Sequence, residues 1–325
     1  MTTIPELRSM SFIDILDTAF RIYRAHFLTF VGIVALLQIP FVILQTLFQF
    51  TVGWEPAVAV TRFSSTPTFS GSGFPDVPLI DLVIYYVGLI GFSVLQSLVL
   101  FTLITGALAH AISRIYLGQP ISIITAYQFG RRQYLALIVA TFALFLVLIV
   151  LYALFIACIA GGVFATISIG GETGVWAGVG LLLAILFVSL AFLILLAFVY
   201  TRMVFITQTV VLESHGPLAA IGRSWRLTAR YFWRTFGILA TMIILAYIVY
   251  GIPTAIIQLG IAFTGGFSPE SQILGQNIGV LVAQIGYIIA LPLQFVTYTL
   301  LYYDLRIRKE GFDIELKSQQ TPSYA

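Results

Sequence analysis

Charge is what this sequence has least of. Asp, Glu, Lys and Arg together make up 9% of 325 residues, against about 25% in an ordinary soluble domain, which excludes a soluble globular fold. A single cysteine, Cys158, excludes an intrachain disulfide and any Cys-based metal or redox motif. The three histidines, as His26-Phe27, His110-Ala111 and His215-Gly216, show no metal-ligand spacing. Gly-rich phosphate loops and nucleophile elbows are missing as well. No carboxylate stands in the middle of an apolar run, which counts against a proton-coupled relay, and no ring of charges marks an ion pore. The sequence therefore gives no ground to expect an enzyme, a metal or a cofactor, and its net charge of +3 gives none for a nucleic-acid partner.

What remains is apolar, with hydrophobic residues at 60% and aromatics at 14%. Six runs approach or exceed the roughly 20 residues that a bilayer crossing needs: 27–50, 79–109, 134–160, 177–200, 235–257 and 277–301. The expected fold is all-α, a polytopic membrane helix bundle of six spans forming one integral membrane domain over 1–325. The first run starts too late and ends without a small-residue cleavage pattern, so it reads as a span and not as a signal peptide. Pro40, Pro253 and Pro292 fall inside spans and should kink them. The connection 51–78, rich in Ser, Thr, Gly and Pro, reads as a flexible loop.

Orientation follows from where Lys and Arg sit. Arg8, Arg21, Arg24, Arg114, Arg131, Arg132, Arg202, Arg223, Arg226, Arg230, Arg234, Arg306, Arg308, Lys309 and Lys317 all fall on one side, and only Arg62 on the other. Both termini are thus expected in the cytoplasm, with the chain in the cell inner (cytoplasmic) membrane.

Self-similarity appears on the same side. Ala19-Phe20-Arg21-Ile22 aligns without gaps with Ala126-Tyr127-Gln128-Phe129 and Ser224-Trp225-Arg226-Leu227, and Phe27, Tyr134 and Phe232 fall in register. This implies three pseudo-repeats of two spans, about 10–109, 117–203 and 215–303, each preceded by an amphipathic interfacial helix, with a tail at 304–325. Ser11 with Asp14 forms a capping-box pattern, and Pro120 and Pro217 suit first helical turns. At about 100° per residue, Asp14, Asp17, Arg21 and Arg24 cluster on one face of the first helix, opposite Ile15, Leu16, Ala19, Ile22 and Tyr23. Arg223, Arg226, Arg230 and Arg234 make a stripe on the third, while Arg131 and Arg132 follow the second. Such helices lie in the headgroup plane, so Arg21, Arg24, Arg131, Arg132, Arg223, Arg226 and Arg230 are the candidate lipid- or phosphate-binding residues. Membrane lipids, anionic ones above all, are the expected partners.

The run from Met10-Ser11-Phe12-Ile13-Asp14 to Arg21-Ile22-Tyr23-Arg24, the segment Glu213-Ser214-His215-Gly216-Pro217-Leu218 leading to Trp225-Arg226, and the closing Tyr303-Asp304-Leu305-Arg306-Ile307-Arg308 resemble bacterial and archaeal membrane proteins related to the glycerophosphoryl diester phosphodiesterase membrane domain. That resemblance implies a multi-pass fold and a membrane location. The His-Arg start and metal-binding acids of the family's catalytic barrel are not found, so it implies no hydrolase chemistry.

Ten mainly apolar residues follow Arg202 before Glu213, and an ionisable residue within a span is a functional hypothesis by default; if the span ends at Tyr200, Arg202 instead snorkels to the headgroups. Asp304, at similar depth, is a candidate partner for it. Gln284, Tyr287, Leu291 and Gln294 share one helix face that should point toward other helices. Two functions follow. The first is a non-catalytic, lipid-associated scaffold or accessory protein. The alternative is a transporter of a lipid-like or small neutral substrate, with Arg202, Gln284, Gln294 and Asp304 lining a cavity between the repeats.

Overall fold

The computed structural model describes residues 9–65, 78–116, 118–130, 133–169, 174–265 and 268–311. These are helical almost throughout, without a strand among them. α1 (Phe12–Ala25) precedes α2 (Phe27–Thr51) and α3 (Trp54–Ser65). α4 (Leu79–Val94) runs through a π-turn into α5 (Phe101–Tyr116), and α6 (Ile123–Gly130) leads to α7 (Tyr134–Ile169). α8 (Gly174–Met203), α9 (Ile206–Glu213) and α10 (Pro217–Thr228) come next, then α11 (Phe232–Ala246), a second π-turn and α12 (Ile252–Gly265). The chain closes on α13 (Pro269–Glu310). Six helical segments are long and apolar enough to cross a membrane, at Phe27–Thr51, Leu79–Tyr116, Tyr134–Ala165, Gly178–Glu213, Phe232–Phe263 and Pro269–Glu310.

Burial is lopsided along the bundle axis. The basic end, where the described Lys and Arg side chains gather, carries the core: Phe30, Ile33, Leu108, Ile112, Phe205, Leu227, Ile238 and Tyr302 are fully buried there. α13 runs through the middle, touching α1, α2, α3, α5, α10, α11 and α12. Toward the opposite end α4, α7 and α8 present Ile90, Leu154 and Leu193 outward, as helices surrounded by lipid do. Small residues set the closest approaches, because helices in lipid gain mainly from backbone proximity. Gly275 and Gly279, four apart on α13, lie against Ile261, Thr254 and Gln258 of α12. Pro253 follows the π-turn Tyr247–Gly251, a local adjustment of the helix ladder, and Tyr23 donates to the Ile289 carbonyl three residues before Pro292, so a neighbour answers a backbone group near the second proline.

Three short helices on the basic side enter the spans by the same course. Ala19 of α1, Ala126 of α6 and Ser224 of α10, the in-register small residues, are all fully buried. The junction residues His26 and Tyr231 share one backbone conformation, φ −122°, ψ 27° and φ −119°, ψ 32°. Their carbonyls, and that of Gln133, accept from the amides of Phe30, Thr235 and Leu137 at 3.0, 2.9 and 2.9 Å. The helices are not simply laid on lipid: Ile15 and Ala19 pack into protein, while Ile13, Phe20, Leu218 and Trp225 stay exposed.

Local expectations fared unequally. The capping box is formed, with Ser11 N donating to Asp14 Oδ2 at 2.9 Å and Asp14 N to Ser11 Oγ at 3.1 Å, and Pro217 opens α10. α6 does not start at Pro120. It begins at Ile123, where the Ser122 and Thr125 side chains and amides satisfy one another. The connection after α2 is not a loop throughout, since Trp54–Ser65 forms α3; Val58 buries and Trp54 stacks on Phe50. The Ser64-Ser65 stretch ends that helix, and residues 66–77 lie outside the described residues.

Candidate functional site

The basic end holds two ion clusters and one caged arginine. In the first cluster Asp304 of α13 is completely buried. Its Oδ1 accepts from the Met10 amide at 2.8 Å and its Oδ2 from Arg234 Nη2 at 3.0 Å, while Arg308 Nε reaches both oxygens at 3.0 Å. Arg234 and Arg308 also each donate to the Met10 carbonyl at 2.7 Å. One carboxylate thus ties the chain before α1 to the start of α11 and the end of α13. Full pairing is what a buried charge requires, since an uncompensated one costs several kcal/mol.

The second cluster centres on Glu213, the last residue of α9. Arg223 of α10 grips it bidentately, Nε at 2.8 Å and Nη2 at 2.9 Å. Arg306 Nε lies 3.3 Å from it, His215 Nδ1 3.2 Å, and the Tyr302 hydroxyl donates to it. Arg223 also pairs with Glu310, which Arg306 reaches at 3.3 Å. Hydrogen bonds to Glu213 and then Glu310 raise the Arg223 pKa above its ordinary value, so its charge is permanent. Beside this cluster Ser113 and Tyr303 share a 2.7 Å hydrogen bond, and Tyr116 stacks on Tyr303.

Arg202, on the last turn of α8, takes a different environment. Its guanidinium carbon sits 5.1 Å from the Phe198 ring, 5.0 Å from Trp225 and 5.4 Å from Phe232. Nε and Nη1 are buried without a hydrogen-bond acceptor among the described residues. The helix break that follows it is bridged by Ser224, whose Oγ donates to the Arg202 carbonyl at 2.7 Å and accepts from Phe205 N at 3.2 Å. Ring faces attract a guanidinium by about 0.5–2 kcal/mol, so the aromatics hold it in place.

The cavity expected between Arg202, Gln284, Gln294 and Asp304 is not formed by them. Asp304 pairs with Arg234 and Arg308, not Arg202, because a fully buried carboxylate is met by the nearest fixed cations, one of them a single turn away on its own helix. Gln284 accepts from Gln38 Nε2 at 2.8 Å, joining α13 to α2, and Gln294 Nε2 donates to the Met242 carbonyl at 3.3 Å, joining α13 to α11. Met242 lies ten residues along α11 from Phe232 of the arginine cage, about 15 Å at 1.5 Å per residue. The span amides therefore act as interhelical ties. A cleft of about 160 Å³ lies elsewhere, between α12 and α13, lined by Gln258, Gln272 and Gln276.

The lipid-binding candidates also divide. Arg223 is engaged by carboxylates and is withdrawn from the lipid set. Arg21, Arg24, Arg226 and Arg230 are exposed, and among the described residues their side chains make only a 3.5 Å contact, from Arg21 Nη2 to Thr18 Oγ1. Arg131 and Arg132 lie outside the described residues. Glu213, Glu310, Tyr302, Arg234 and Arg308 were not among the candidates. The available signal was spacing: Glu213 and Glu310 each close a long span, 97 residues apart.

No curated protein and no solved structure matches the chain. A family model described as a domain of unknown function, DUF7847, matches residues 80–304, a stretch holding Arg202, Glu213, Arg223, Arg234 and Asp304 of the basic end. That match covers more than two thirds of the 325 residues, and the chain therefore belongs to the DUF7847 family.

Proposed function

We propose that this protein is a non-catalytic multi-pass component of the cytoplasmic membrane, with both termini in the cytoplasm, that holds anionic lipid at its basic end and serves as a lipid-associated scaffold or accessory. The observation that carries the reading is a group of exposed cations at the basic end, with Asp14 and Asp17 exposed beside two of them on α1. Arg21, Arg24, Arg226 and Arg230 face outward beside exposed Phe20, Trp225 and Trp233, the aromatic-and-basic pairing of a membrane interface. Each such cation contributes about 1 kcal/mol of attraction to an anionic leaflet. The three short helices, entering in the same direction at related positions, support three pseudo-repeats built to fix that end. On this reading the likeness to the diesterase membrane domain is one of architecture. Of the residues that a transporter's cavity would need, Gln284, Gln294 and Asp304 instead tie helices together, which favours the scaffold reading.

Reconstitution tests it. In nanodiscs with phosphatidylglycerol the thermal midpoint should exceed that in pure phosphatidylcholine, and the difference should shrink at 1 M salt, where the screening length falls to about 3 Å. Equal midpoints in both lipids at low salt would remove the lipid role.

A further inference from the structure

Charge pairing at the basic end leaves a remainder. Glu213 and Glu310 are taken up by Arg223 and Arg306, and Asp304 by Arg234 and Arg308. Arg202, Arg226, Arg230 and Lys309 have no carboxylate within ion-pair distance among the described residues, and they are neighbours. Lys309 Nζ donates to the Arg226 carbonyl at 2.6 Å, the Trp225 ring next to it covers Arg202, and Lys309 is attracted by Glu310 and repelled by Arg230, Arg202 and Arg223. The C-terminus of α10 points here, yet a helix end carries only about half a negative charge. That cannot balance four full positive ones.

Arg202 has a further property. Three rings enclose its guanidinium, and its buried Nε and Nη1 meet no acceptor among the described residues. A guanidinium walled by aromatics, with cations at its side and no carboxylate among the described residues, suits recognition of a phosphate oxygen. Phe198, Trp225 and Trp233 place that guanidinium at the level where headgroup phosphates sit.

We propose that Arg202, Arg230 and Lys309, with Arg226 at the rim, form a binding site for a phosphate ester, supplied as the headgroup of an anionic phospholipid. This rests on the lipid-associated reading and narrows it to one corner of the molecule. It also excludes Arg223, whose charge is spent on two glutamates, and separates the corner from Arg21 and Arg24, which act as general anchors.

The test uses the full chain, purified from nanodiscs of mixed phosphatidylglycerol and phosphatidylcholine, and native mass spectrometry after transfer to mild detergent. Wild type should retain one phosphatidylglycerol. Arg202→Gln and the double variant Arg230→Gln/Lys309→Gln should each cut its occupancy by about tenfold or more, as losing a charge-assisted bond does, while Arg21→Gln/Arg24→Gln keeps it. Arg202→Lys preserves charge without the guanidinium and should fall between. Unchanged gel-filtration profiles keep the comparison to folded protein, and the rim double variant remains informative if Arg202→Gln does not fold. A second arm follows inorganic phosphate by ³¹P line broadening in neutral detergent. Lipid retention equal in all variants would overturn the site and leave the lipid role standing. Phosphate broadening that Arg202→Gln abolishes, without lipid retention, would keep the anion site and assign it to a soluble phosphate. Neither lipid nor phosphate bound by wild type would overturn both.

Discussion

Asp304→Asn is the substitution that probes the basic end most severely. The asparagine is isosteric, but it removes the charge that Arg234 and Arg308 share and turns one oxygen into a donor facing guanidinium groups. Four hydrogen bonds converge on the two oxygens at 2.8–3.0 Å, and no solvent reaches the side chain. Removing one partner of a buried pair costs about 3–5 kcal/mol. At about 2 °C per kcal/mol for a chain of this size, the thermal midpoint should drop by about 6–10 °C. Tryptophan fluorescence or gel-filtration melting in detergent reads the shift. A double-mutant cycle with Arg234→Gln should return a coupling of about 1–3 kcal/mol, because the second loss falls on a partner already stranded. A midpoint lowered by under 2 °C, or an additive cycle, would refute the claim that this clasp holds the N-terminal segment to α11 and α13.

Replacing Gln38 or Gln284 with Leu should each cost about 1 kcal/mol while the double replacement approaches wild type, since no amide is then left unpaired in the membrane; unfolding in mixed detergent gives the cycle. Gly279→Leu should separate α12 from α13 and destabilise by about 2 kcal/mol or more, because the new side chain meets Gln258 and Thr254 within 3.5 Å at its first atom; wild-type melting would contradict the close approach. Arg223 has its pKa raised, so its contribution to stability would be lost only as pH rises above the ordinary arginine range. The Glu213 cluster should accordingly weaken only on the acid side, as carboxylates take up protons, and a loss of stability between pH 7 and 10 that Arg223→Gln abolishes would contradict it. In a Cys158→Ala background, membrane-impermeant maleimide should label Ser268→Cys and not His26→Cys in intact cells; the reverse would invert the orientation.

The six spans were legible because lipid demands length and apolarity of every crossing, and the runs 27–50 through 277–301 lie inside the observed helices. The in-register Ala19, Ala126 and Ser224 were legible for a related reason: each must fit where a short helix meets the bundle. Partners were not. Charge counting placed Arg223 and Arg226 on one stripe, but only the fold reveals that Arg223 turns to Glu213 and Glu310 while Arg226 faces out. Asp304 and Arg202 share a depth without sharing a partner, because depth along a span says nothing of which neighbouring helix lies across from it. α3 was hidden by Ser64-Ser65 and the turn-forming residues after it, although Val58 and Trp54 hold its first turns against the bundle.

The most direct measurement is photocrosslinking with a headgroup-labelled phosphatidylglycerol analogue, followed by peptide mapping. The account expects labels concentrated on the segments around Phe198 to Met203, Trp225 to Phe232 and Arg306 to Lys309, and competed by unlabelled phosphatidylglycerol but not by phosphatidylcholine. Labels spread evenly over the chain, or competed equally by both lipids, would contradict it.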